Sequence, residues 1–484
     1  MSRGSKVTRE VGALSYVRSY FGGAAKTMLN VAIYAATLGN FVLLEGRVSG
    51  GVFKNWAGRF PYRAQRFARP TTEAEIVDLV KGSQKVRVFG SGHSFNDGVV
   101  SEETLVSLDD YSGVVRRDIA NRQLTVKGGT RVRKVVELLL EDGLAFKALP
   151  SHDAQSIAGI LSTDVHGTGR DWGFVNESVV SLKLIDGNGE VHECRPSDDL
   201  FKAAVGGVGA VGIISEVVVQ GVDRFNVEQD VKTKDVSYVV KNLDGLLQEN
   251  EHLSLYLFPF AKRCRVNTWN RRLKKKSRFG KVREFARISV DALMAAWVGN
   301  LFAYTGLLRF ASPLYGIERG SNLVLESNEA FNRSIYHLHQ ELEFTVPFEE
   351  TFWSCRRFLD LYEKRYRAGT PYMILEVRFT PERDRTLIGA GHGRRSTWID
   401  LVCNDSRGFE GYYAAAEALI KEIGARPHLG KFCESFRNAD MARLHRDRFE
   451  RFLDLVELRD PHRKFANSFT RRVFGQGKET YPRR

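Results

Sequence analysis

Short apolar runs alternate with amphipathic stretches between residues 50 and 222. The runs are rich in β-branched residues and end at glycine or acidic turns, a pattern typical of strands. Two stretches instead have helical spacing, 131–141 and 199–204, and the first ends at Gly143. The predicted strands are 86–89, 104–108, 179–186, 191–194 and 212–219. Strands and helices mixed in this way predict an α+β domain.

The pattern changes after about residue 222, where the segments become longer. Strands are predicted at 254–258, 342–347 and 372–379, and a basic run lies between the first and second of them. We therefore expect a domain boundary near 222 in the 484-residue chain. The predicted units are an N-terminal extension (1–49), a first domain (50–222), a second domain (223–435) with an insertion at 271–308, and a C-terminal segment (436–484).

The net charge of +14 is concentrated in two places. Residues 1–26 carry five basic side chains and one acidic side chain, and residues 271–287 carry nine and one. The remaining residues are close to neutral, with a net charge of +2. A basic surface spread over a domain is the usual footprint of nucleic-acid binding. We therefore expect no nucleic-acid partner.

An uncharged apolar stretch follows each basic run, at 27–44 and at 292–308. Both are at the short limit for crossing a bilayer and contain Asn and Gly. Basic residues beside an apolar helix are attracted to anionic lipid by about 1 kcal/mol each, which favours a membrane surface. A solvated loop followed by a buried helix is the other interpretation of 271–308. For 27–44, a candidate membrane segment, the sequence leaves open whether it spans a membrane, lies on it or does neither.

Five widely spaced cysteines without a C-x-x-C motif argue against a disulfide framework and against a zinc module. A reducing compartment, and hence the cytoplasmic side of a membrane, is expected. His337 and His339 share a strand face, but no suitably spaced carboxylate or cysteine accompanies them. No metal is predicted.

Two glycine clusters are candidates for binding phosphate. Gly207, Gly209 and Gly212 match the dinucleotide fingerprint as a string, but a predicted helix precedes them and a predicted strand follows. The fingerprint needs the reverse order, so a nicotinamide site is not expected. The second cluster, 90–96, reads GSGHSFN and follows a β-branched strand. Its glycines allow backbone N–H groups to approach an anion, although a structural turn with an exposed histidine has the same pattern.

A third segment, 151–169, is dense in Ser, Thr and Gly in a region otherwise built of apolar strands. Small polar residues are expected where the chain wraps a large polar ligand. A surface loop has the same composition.

Five sequence blocks together resemble flavoproteins of the vanillyl-alcohol-oxidase type (PCMH-type), and within them the sugar-1,4-lactone oxidases with the related alditol oxidases. The blocks are RVFGSGHSFND, QSIAGILSTDVHGTG, LEVRFTP at 375–381, RPHLGK at 426–431 and KFANSFTRRVFG at 464–475. The resemblance covers residues 55–474. It implies a two-domain α+β fold in which 50–222 binds FAD, 223–435 forms a cap that holds the substrate, and 436–484 returns to the FAD-binding domain.

The same resemblance implies the cofactor site. It places a covalent bond to FAD on His93, and such a bond prevents cofactor loss and makes the flavin more oxidising. Ile213 and Ile214 are expected to contribute backbone contacts. The remaining implied FAD-binding residues are Gly90, Ser91, Gly92, Ser94, Pro150, Ser151, Ser156, Gly159, Ser162, Thr163, His166 and Gly167.

Three residues are predicted to act on the substrate. Glu376 and Arg378 alternate on a predicted strand and so share one face. By resemblance, Glu376 orients or deprotonates the substrate hydroxyl, and Arg378 and Lys431 polarise it and stabilise anionic flavin. Taken alone, Glu376 and Arg378 could equally be an exposed strand pair, and Lys431 a solvated lysine.

Two positions bear on specificity. Leu429 stands where the family usually has tryptophan, so one wall of the substrate pocket is expected to lack an aromatic surface. In the wider family, the position of Pro150 tends to hold Gly or Pro when oxygen is admitted to the flavin and Ala when oxygen is excluded. By this resemblance, Pro150 favours an oxidase.

The sequence thus predicts an FAD-dependent oxidase that converts a sugar-1,4-lactone and reduces O₂ to H₂O₂. An alditol oxidase and a lactone dehydrogenase that passes electrons to a membrane quinone or cytochrome are the enzyme alternatives. A basic membrane-binding protein without catalysis is the alternative from another class. A colourless purified protein would favour that last one.

Overall fold

The computed structural model of the chain describes residues 47–49, 52–101, 103–315, 321–332, 339–404 and 408–475, with three isolated positions before residue 33. The segment 27–44 falls outside these ranges except at positions 28 and 32, and His337 falls outside them as well. No helix of the described residues is long and apolar enough to cross a membrane.

The first part of the chain builds small sheets around buried helices. A three-stranded sheet has the order β1-β2-β3, a parallel one has the order β4-β6-β5, and a five-stranded antiparallel sheet has the order β11-β10-β12-β8-β7. The strands are β1 (Arg47–Ser49), β2 (Val52–Lys54), β3 (Tyr62–Arg63), β4 (Arg66–Ala68), β5 (Val86–Phe89), β6 (Thr104–Ser107), β7 (Val114–Asp118), β8 (Gln123–Lys127), β9 (Leu144–Ala145), β10 (Val179–Ile185), β11 (Val191–Cys194), β12 (Ile213–Gln220) and β13 (Val222–Asp223). The helices are α1 (Glu73–Gly82), α2 (Val132–Glu141), α3 (Ile157–Ser162) and α4 (Asp199–Ala204), with a 3₁₀ turn at Val175–Ser178.

The predicted elements of this part agree with the structure to within one or two residues. Helix α2 shows why its sequence signal is strong. Val132, Val135, Val136 and Leu139 repeat at helical spacing and are buried, whereas the charged residues between them are more exposed. Gly143 adopts φ +72°, a left-handed conformation that glycine adopts at no steric cost, just past the end of the helix.

An eight-stranded antiparallel sheet dominates the second part, in the order β17-β14-β16-β15-β19-β20-β18-β21. Its strands are β14 (Asn226–Asp235), β15 (His252–Leu257), β16 (Arg263–Arg272), β17 (Ser321–Glu326), β18 (Gln340–Pro347), β19 (Met373–Thr380), β20 (Ser396–Cys403) and β21 (Arg426–Pro427). The helices α5 (Val236–Glu249), α10 (Thr351–Arg365) and α11 (Glu410–Glu422) lie between its strands along the chain. A 3₁₀ turn, Phe348–Glu350, precedes α10.

The faces of this sheet differ in chemistry. Leu375, Val377 and Phe379 of β19 belong to the main hydrophobic core, where Phe344 of β18 packs its ring 4.5 Å from that of Phe358 in α10. Side chains alternate along a strand, so Glu376 and Arg378 point to the opposite face. That polar face borders the first part of the chain.

The insertion at 271–308 forms a group of consecutive helices. They are α6 (Gly280–Leu293), a π-helical segment (Met294–Gly299), α7 (Asn300–Tyr304) and α8 (Leu308–Tyr315), and α9 (Ser327–Phe331) follows β17. Pro313 lies inside α8. Some apolar residues of this insertion are buried and others are exposed.

The C-terminal helices contact the first part of the chain. They are α12 (Asn438–His445), α13 (Asp447–Arg459) and α14 (Ser468–Phe474). The Asn467 amide donates to the carbonyls of Asp97, Gly98 and Val100 at 2.8–3.2 Å, and Arg472 pairs with Asp97 at 2.9 Å. Burial of these polar groups is offset by their hydrogen bonds, so the C-terminal segment is held against the loop that follows β5.

Candidate active site

A deep cavity lies between the first part of the chain and the polar face of the large sheet. It encloses about 1510 Å³ of empty space, including open solvent at its mouth. Pockets for ordinary small ligands have about 300–1,000 Å³. The lining of this cavity extends from the turn after β5 and the start of α3 to the polar face of the large sheet.

The turn after β5 forms one wall, and only glycine fits at its start. A Cβ atom on Gly90 would lie 2.2 Å from Ser156 Oγ, and Gly92 has φ +68°. Ser156 is the residue before α3, and its hydroxyl accepts a hydrogen bond from Gly159 N at 3.2 Å. The glycine turn and the start of α3 are thus brought into direct contact beside the cavity.

His93 is partly buried in this wall, next to a second histidine, His152, that is buried. Its Nε2 lies 3.0 Å from Nε2 of His152, and the Trp56 ring is nearly parallel to its own ring at 5.8 Å. Burial, with His152 and Arg131 nearby, holds the pKa of His93 well below its usual value. Burial also lowers the pKa of His152 to about 4. Both imidazoles are therefore neutral at pH 7, and a neutral imidazole keeps a nucleophilic nitrogen.

The opposite wall carries a row of polar residues fixed by strand register. Tyr256 pairs with Glu376, Glu376 with Asp400, and Asp400 with Glu343, across four neighbouring strands. Residues directly opposite each other in a sheet project to the same side. The Tyr256 hydroxyl donates to Glu376 Oε1 at 2.7 Å. Three carboxyl groups distant in sequence are thus adjacent in space.

Arg378 and Lys431 are the cations of this wall. The Arg378 guanidinium lies 3.3 Å from Glu376 Oε1 and 3.8 Å from Asp400 Oδ2. Lys431 Nζ contacts Glu341 and lies 3.4 Å from Asp400 Oδ2 and 3.6 Å from Glu343 Oε2. Each cation is therefore shared between carboxyl groups.

These contacts set the ionisation of the wall. Burial opposes the charge on Arg378 and Lys431, but the carboxylates around them outweigh it and raise the pKa of both. Burial also opposes ionisation of Glu343, which His166, Lys431 and Arg378 overcome, so its pKa lies well below the usual value. Burial and the neighbouring Glu341 raise the pKa of Asp400 well above its usual value. The wall therefore presents two permanent cations beside ionised Glu343, and Asp400 binds a proton more readily than an ordinary carboxyl group.

Contacts between the two walls fix Lys431. The Asn96 amide donates to the carbonyls of Leu429 and Lys431 at 2.6 and 2.8 Å, and Phe95 N donates to Gly430 O at 2.9 Å. The loop that carries His93 therefore holds the segment that carries Lys431.

The structure brings the predicted residues together. Those that line the cavity are Gly90, Ser91, Gly92, His93, Ser94, Pro150, Ser151, Ser156, Gly159, Ser162, Thr163, His166, Ile213, Ile214, Arg378 and Lys431. Gly167 and Glu376 are not part of the lining, although Glu376 is paired with Arg378, which is. Leu429 is buried in the main hydrophobic core and does not line the cavity. The expectation that this residue forms a pocket wall is therefore not supported by its position.

Comparison with known proteins identifies the family. The D-arabinono-1,4-lactone oxidase family model matches residues 217–473, and a model of an FAD binding domain matches residues 64–195. The chain belongs to the D-arabinono-1,4-lactone oxidase family. It is an FAD-dependent oxidoreductase, and the resemblance seen in the sequence is confirmed.

Named relatives of this family member align over most of its length. An L-gulono-1,4-lactone dehydrogenase of Mycobacterium tuberculosis is 28% identical over 437 residues, covering 88% of this chain and 99% of the relative. An L-gulonolactone oxidase of Mus musculus is 24% identical over 447 residues, covering 88% and 98%. Oxidases and a dehydrogenase thus both occur among its relatives.

Solved structures share its fold. The crystal structure of cholesterol oxidase from Brevibacterium sterolicum superposes with a TM-score of 0.69 at 15% identity, covering 89% of this chain and 98% of the other. The predicted α+β flavoprotein fold is confirmed. At this identity the likeness concerns the fold alone.

The residues of the cavity fit FAD. Trp56 Nε1 and Gln155 Oε1 belong to lining residues, are buried, and have no hydrogen-bond partner among the described residues. Unpaired buried polar atoms are costly, so a polar ligand is expected to pair them. The glycine turn and the start of α3 provide backbone N–H groups for a pyrophosphate, and the cations of the other wall suit an electron-rich ring.

Sequence reasoning missed several residues of the site. His152, Glu341, Glu343 and His428 line the cavity and were not predicted. The acidic pair alternates along β18, so a charged face within an otherwise apolar strand was the available signal. Gly209 and Gly212 also line the cavity. Two glycines of the rejected nicotinamide fingerprint are therefore part of the cavity lining.

His166, Glu343 and His428 could in principle offer ligand atoms to a metal, since these atoms lie within 4.8 Å of one another. His166 Nε2 is already 3.1 Å from Glu343 Oε1, and His428 Nδ1 accepts a hydrogen bond from Gly430 N at 2.9 Å. Lys431 and Arg378 also lie within 4 Å of Glu343. This carboxylate is thus already neutralised by protein cations.

Proposed function

We propose that the protein oxidises a hydroxyl-bearing carbon of a sugar-1,4-lactone and passes the electrons to O₂. The substrate loses a hydride from carbon and a proton from its hydroxyl group, and O₂ gains two electrons and two protons to give H₂O₂. FAD, when bound, supplies the hydride acceptor. The observation that carries the proposal is the joint placement of Glu376, Arg378 and Lys431 in one polar wall facing the loop of His93.

In this proposal, Glu376 takes the proton of the substrate hydroxyl. Its Oε1 accepts a hydrogen bond from Tyr256, and Arg378 lies against both of its oxygens at 3.3–3.4 Å. These contacts fix the orientation of the carboxylate, and proton transfer requires a positioned group within hydrogen-bond reach. Arg378 and Lys431 bind the substrate oxygen and compensate negative charge that develops there.

His93 is proposed to bind FAD covalently. The bond would be made by an imidazole nitrogen of His93, and it would prevent cofactor loss and make the flavin more oxidising. The neutral state of His93 supports this role, since a protonated imidazole has no lone pair to form the bond. His152 lies 3.0 Å from Nε2 of His93 and is placed to accept its proton.

Ten further residues are proposed to bind FAD together with the glycine turn. They are Pro150, Ser151, Ser156, Gly159, Ser162, Thr163, His166, Gly167, Ile213 and Ile214. All of them except Gly167 line the cavity. We also propose that residues 223–435 act as the cap that holds the substrate, between an FAD-binding domain at 50–222 and the returning segment at 436–484.

A dehydrogenase that passes electrons to a membrane quinone or cytochrome is the second candidate. The relative from Mycobacterium tuberculosis is named a dehydrogenase, which favours it. We further propose that the protein works on the cytoplasmic side and is associated with a membrane surface, where such an acceptor would be near. An alditol oxidase remains the alternative for the substrate class.

A panel of aldono-1,4-lactones and alditols, assayed in air for substrate consumed and H₂O₂ formed, separates these functions. We expect one H₂O₂ for each lactone oxidised and no turnover of alditols. Turnover with lactone only after a quinone or dye is added would support the dehydrogenase. Turnover of alditols alone would contradict the proposed substrate class.

A further inference from the structure

Helix α6 exposes apolar side chains to solvent. Val282, Ala286, Val290 and Met294 recur every four residues, and the two valines are 62% and 58% exposed. Residues at this spacing lie on one face of a helix. Phe279, just before the helix, is 66% exposed and continues the same stripe.

Three charged residues of α6 lie on its inner side, whereas Lys281 and Arg283 are exposed. Glu284 accepts a buried hydrogen bond from Gln229 at 3.1 Å and pairs with Arg287, and Asp291 pairs with Arg265 of β16 at 2.9 Å. A surface helix usually buries its apolar face and exposes its charges. The exposed apolar residues of α6, together with these inward charges, indicate that its outer face serves another contact.

The exposed apolar surface continues beyond α6. Leu301 of α7, Leu307 just before α8 and Phe310 of α8 are exposed, the last by 76%. Single exposed apolar residues are ordinary, but a series of them on consecutive helices marks an interaction site.

Cations adjoin this stripe. Residues 271–287 carry nine basic side chains and one acidic side chain. Arg272 and Lys274 pair with Glu228, and Lys276 pairs with Glu329. In the parts of the chain that the structure describes, no carboxylate pairs with the remaining cations near the stripe, which are Lys275, Arg278, Lys281 and Arg283.

We propose that α6 to α8 dock this surface on an anionic membrane. We call it the insertion surface, and it consists of Phe279, Val282, Ala286, Val290, Met294, Leu301, Leu307, Phe310, Lys275, Arg278, Lys281 and Arg283. A helix with an apolar face beside basic residues lies in the plane of the lipid headgroups and is held by apolar burial and by anionic lipid. This inference rests on the proposed membrane association and assigns it to a surface.

The insertion surface adjoins the active-site wall. Asp291 on the inner side of α6 binds Arg265, Arg265 is the strand partner of Tyr256, and Tyr256 donates to Glu376. Directly paired residues project to one face of the sheet, so α6 covers the same face that bears Glu376. A bilayer bound to the insertion surface would therefore lie on the side of the sheet that faces the cavity.

Co-sedimentation of the full-length holoenzyme with vesicles tests this. Vesicles of phosphatidylcholine alone are compared with vesicles of equal amounts of phosphatidylcholine and phosphatidylglycerol. We expect binding to the anionic vesicles only, weakened by salt. Val282→Gln with Val290→Gln, and separately Lys275→Glu with Arg278→Glu, should each weaken binding about tenfold or more, because apolar burial and cation attraction both contribute.

Matched exposed positions elsewhere supply the controls. Val240→Gln on α5 and Lys241→Glu with Lys364→Glu should leave vesicle binding unchanged. Flavin content and lactone oxidation are measured on every preparation, so that failure to bind lipid is distinguished from failure of the proposed reaction. Equal binding to both kinds of vesicle would overturn the inference, as would unchanged binding of the insertion-surface variants. A dimer in gel filtration that the valine variants dissociate, with no lipid binding, would assign the surface to a second copy and would also overturn it.

Discussion

His93 shows how burial selects chemistry at a single residue. Its ring lies between Trp56 and His152 in the wall of the cavity, and its pKa is lowered mainly by partial burial. The uncharged ring keeps a lone pair for bond formation, whereas an exposed histidine is partly protonated near neutral pH.

Replacing His93 with alanine removes the proposed attachment atom. We expect yellow protein that releases its flavin on acid precipitation, whereas the flavin of the native protein remains in the pellet. Absorbance of the supernatant and pellet measures this. His462→Ala, at an exposed histidine, is the control and should behave as native. Retention of flavin in the His93→Ala pellet would disprove attachment at this residue.

Glu376 is the proposed base, so its amide variant should bind flavin but react slowly. Glu376→Gln is expected to slow anaerobic flavin reduction by lactone about 10²–10⁴-fold, the usual range for loss of a general base. Stopped-flow absorbance measures the rate. Glu382→Gln, at an exposed carboxylate just past the same strand, should reduce flavin at the native rate. An unchanged rate for Glu376→Gln would remove this residue from the mechanism.

For single residues, the sequence identified the side chains of the site better than it identified the side chains that contact them. Glu376, Arg378 and Lys431 belong to recognisable blocks, and the structure places their charges together. Asp400 was not predicted, because it joins Glu376 and Glu343 only when β20 lies between β19 and β18. Pairing between distant strands is decided by the whole fold and leaves no local signal.

The contact between the turn after β5 and α3 shows how two elements create one wall of the cavity. Ser156 Oγ occupies the space that a side chain on residue 90 would need. A larger residue at position 90 therefore requires the Ser156 hydroxyl, which caps α3, to move.

Gly90→Ala should disrupt this contact. The added Cβ would meet Ser156 Oγ at 2.2 Å, so we expect loss of flavin and a lower melting temperature. Adding Ser156→Ala to this variant should restore part of the flavin content and part of the melting temperature, since it removes the clashing atom. Gly245→Ala in α5 meets nothing within 4 Å and should leave stability unchanged or raise it by about 0.5–1 kcal/mol. Full flavin content in Gly90→Ala would contradict the close packing described for this wall.

Local pattern was enough to place some elements but not their surroundings. The strands at 86–89 and 191–194 and the helix at 199–204 are predicted with the observed bounds. For α6, the sequence predicts only a basic run followed by an apolar stretch. Which face is buried depends on Gln229 and Arg265 of the sheet beneath it, and this is invisible in the helix sequence.

Across the whole molecule, buried histidines link stability to pH. Burial lowers the pKa values of His93, His152, His166, His252, His392, His428 and His445. In the unfolded chain they titrate near 6.5. The unfolded state therefore binds more protons in mildly acidic solution, and acid weakens the fold through these groups. Asp164 and Asp400, whose pKa values are raised, act in the opposite sense.

The pair His392–His445 does not line the cavity, so the pH dependence of stability can be measured there without changing the site. It joins the β19–β20 connection to α12, with Nε2 of His392 2.9 Å from Nδ1 of His445. Burial and then the charges of Arg426, Arg448 and Arg394 lower the pKa of His392 to about 3.

Because the folded pKa lies below the unfolded value, the stabilising effect of neutral His392 is complete above about pH 6.5 and declines as the pH falls towards 3. The native protein and His392→Gln should therefore differ less in free energy of unfolding as the pH falls. The difference should shrink by about 1.4 kcal/mol per pH unit over this window. Urea denaturation at several pH values measures the difference. A difference that is constant with pH would contradict the neutral, buried state of His392.

The central claim is that one cavity brings FAD, held at the loop of His93, to a substrate held by Glu376, Arg378 and Lys431. Its most direct test is an anaerobic titration of the purified native protein with an aldono-1,4-lactone, followed through the visible absorbance of the flavin. We predict that about one equivalent of lactone bleaches the flavin and that admission of air restores the colour. A colourless protein, or a yellow protein whose colour no lactone changes, would contradict the account.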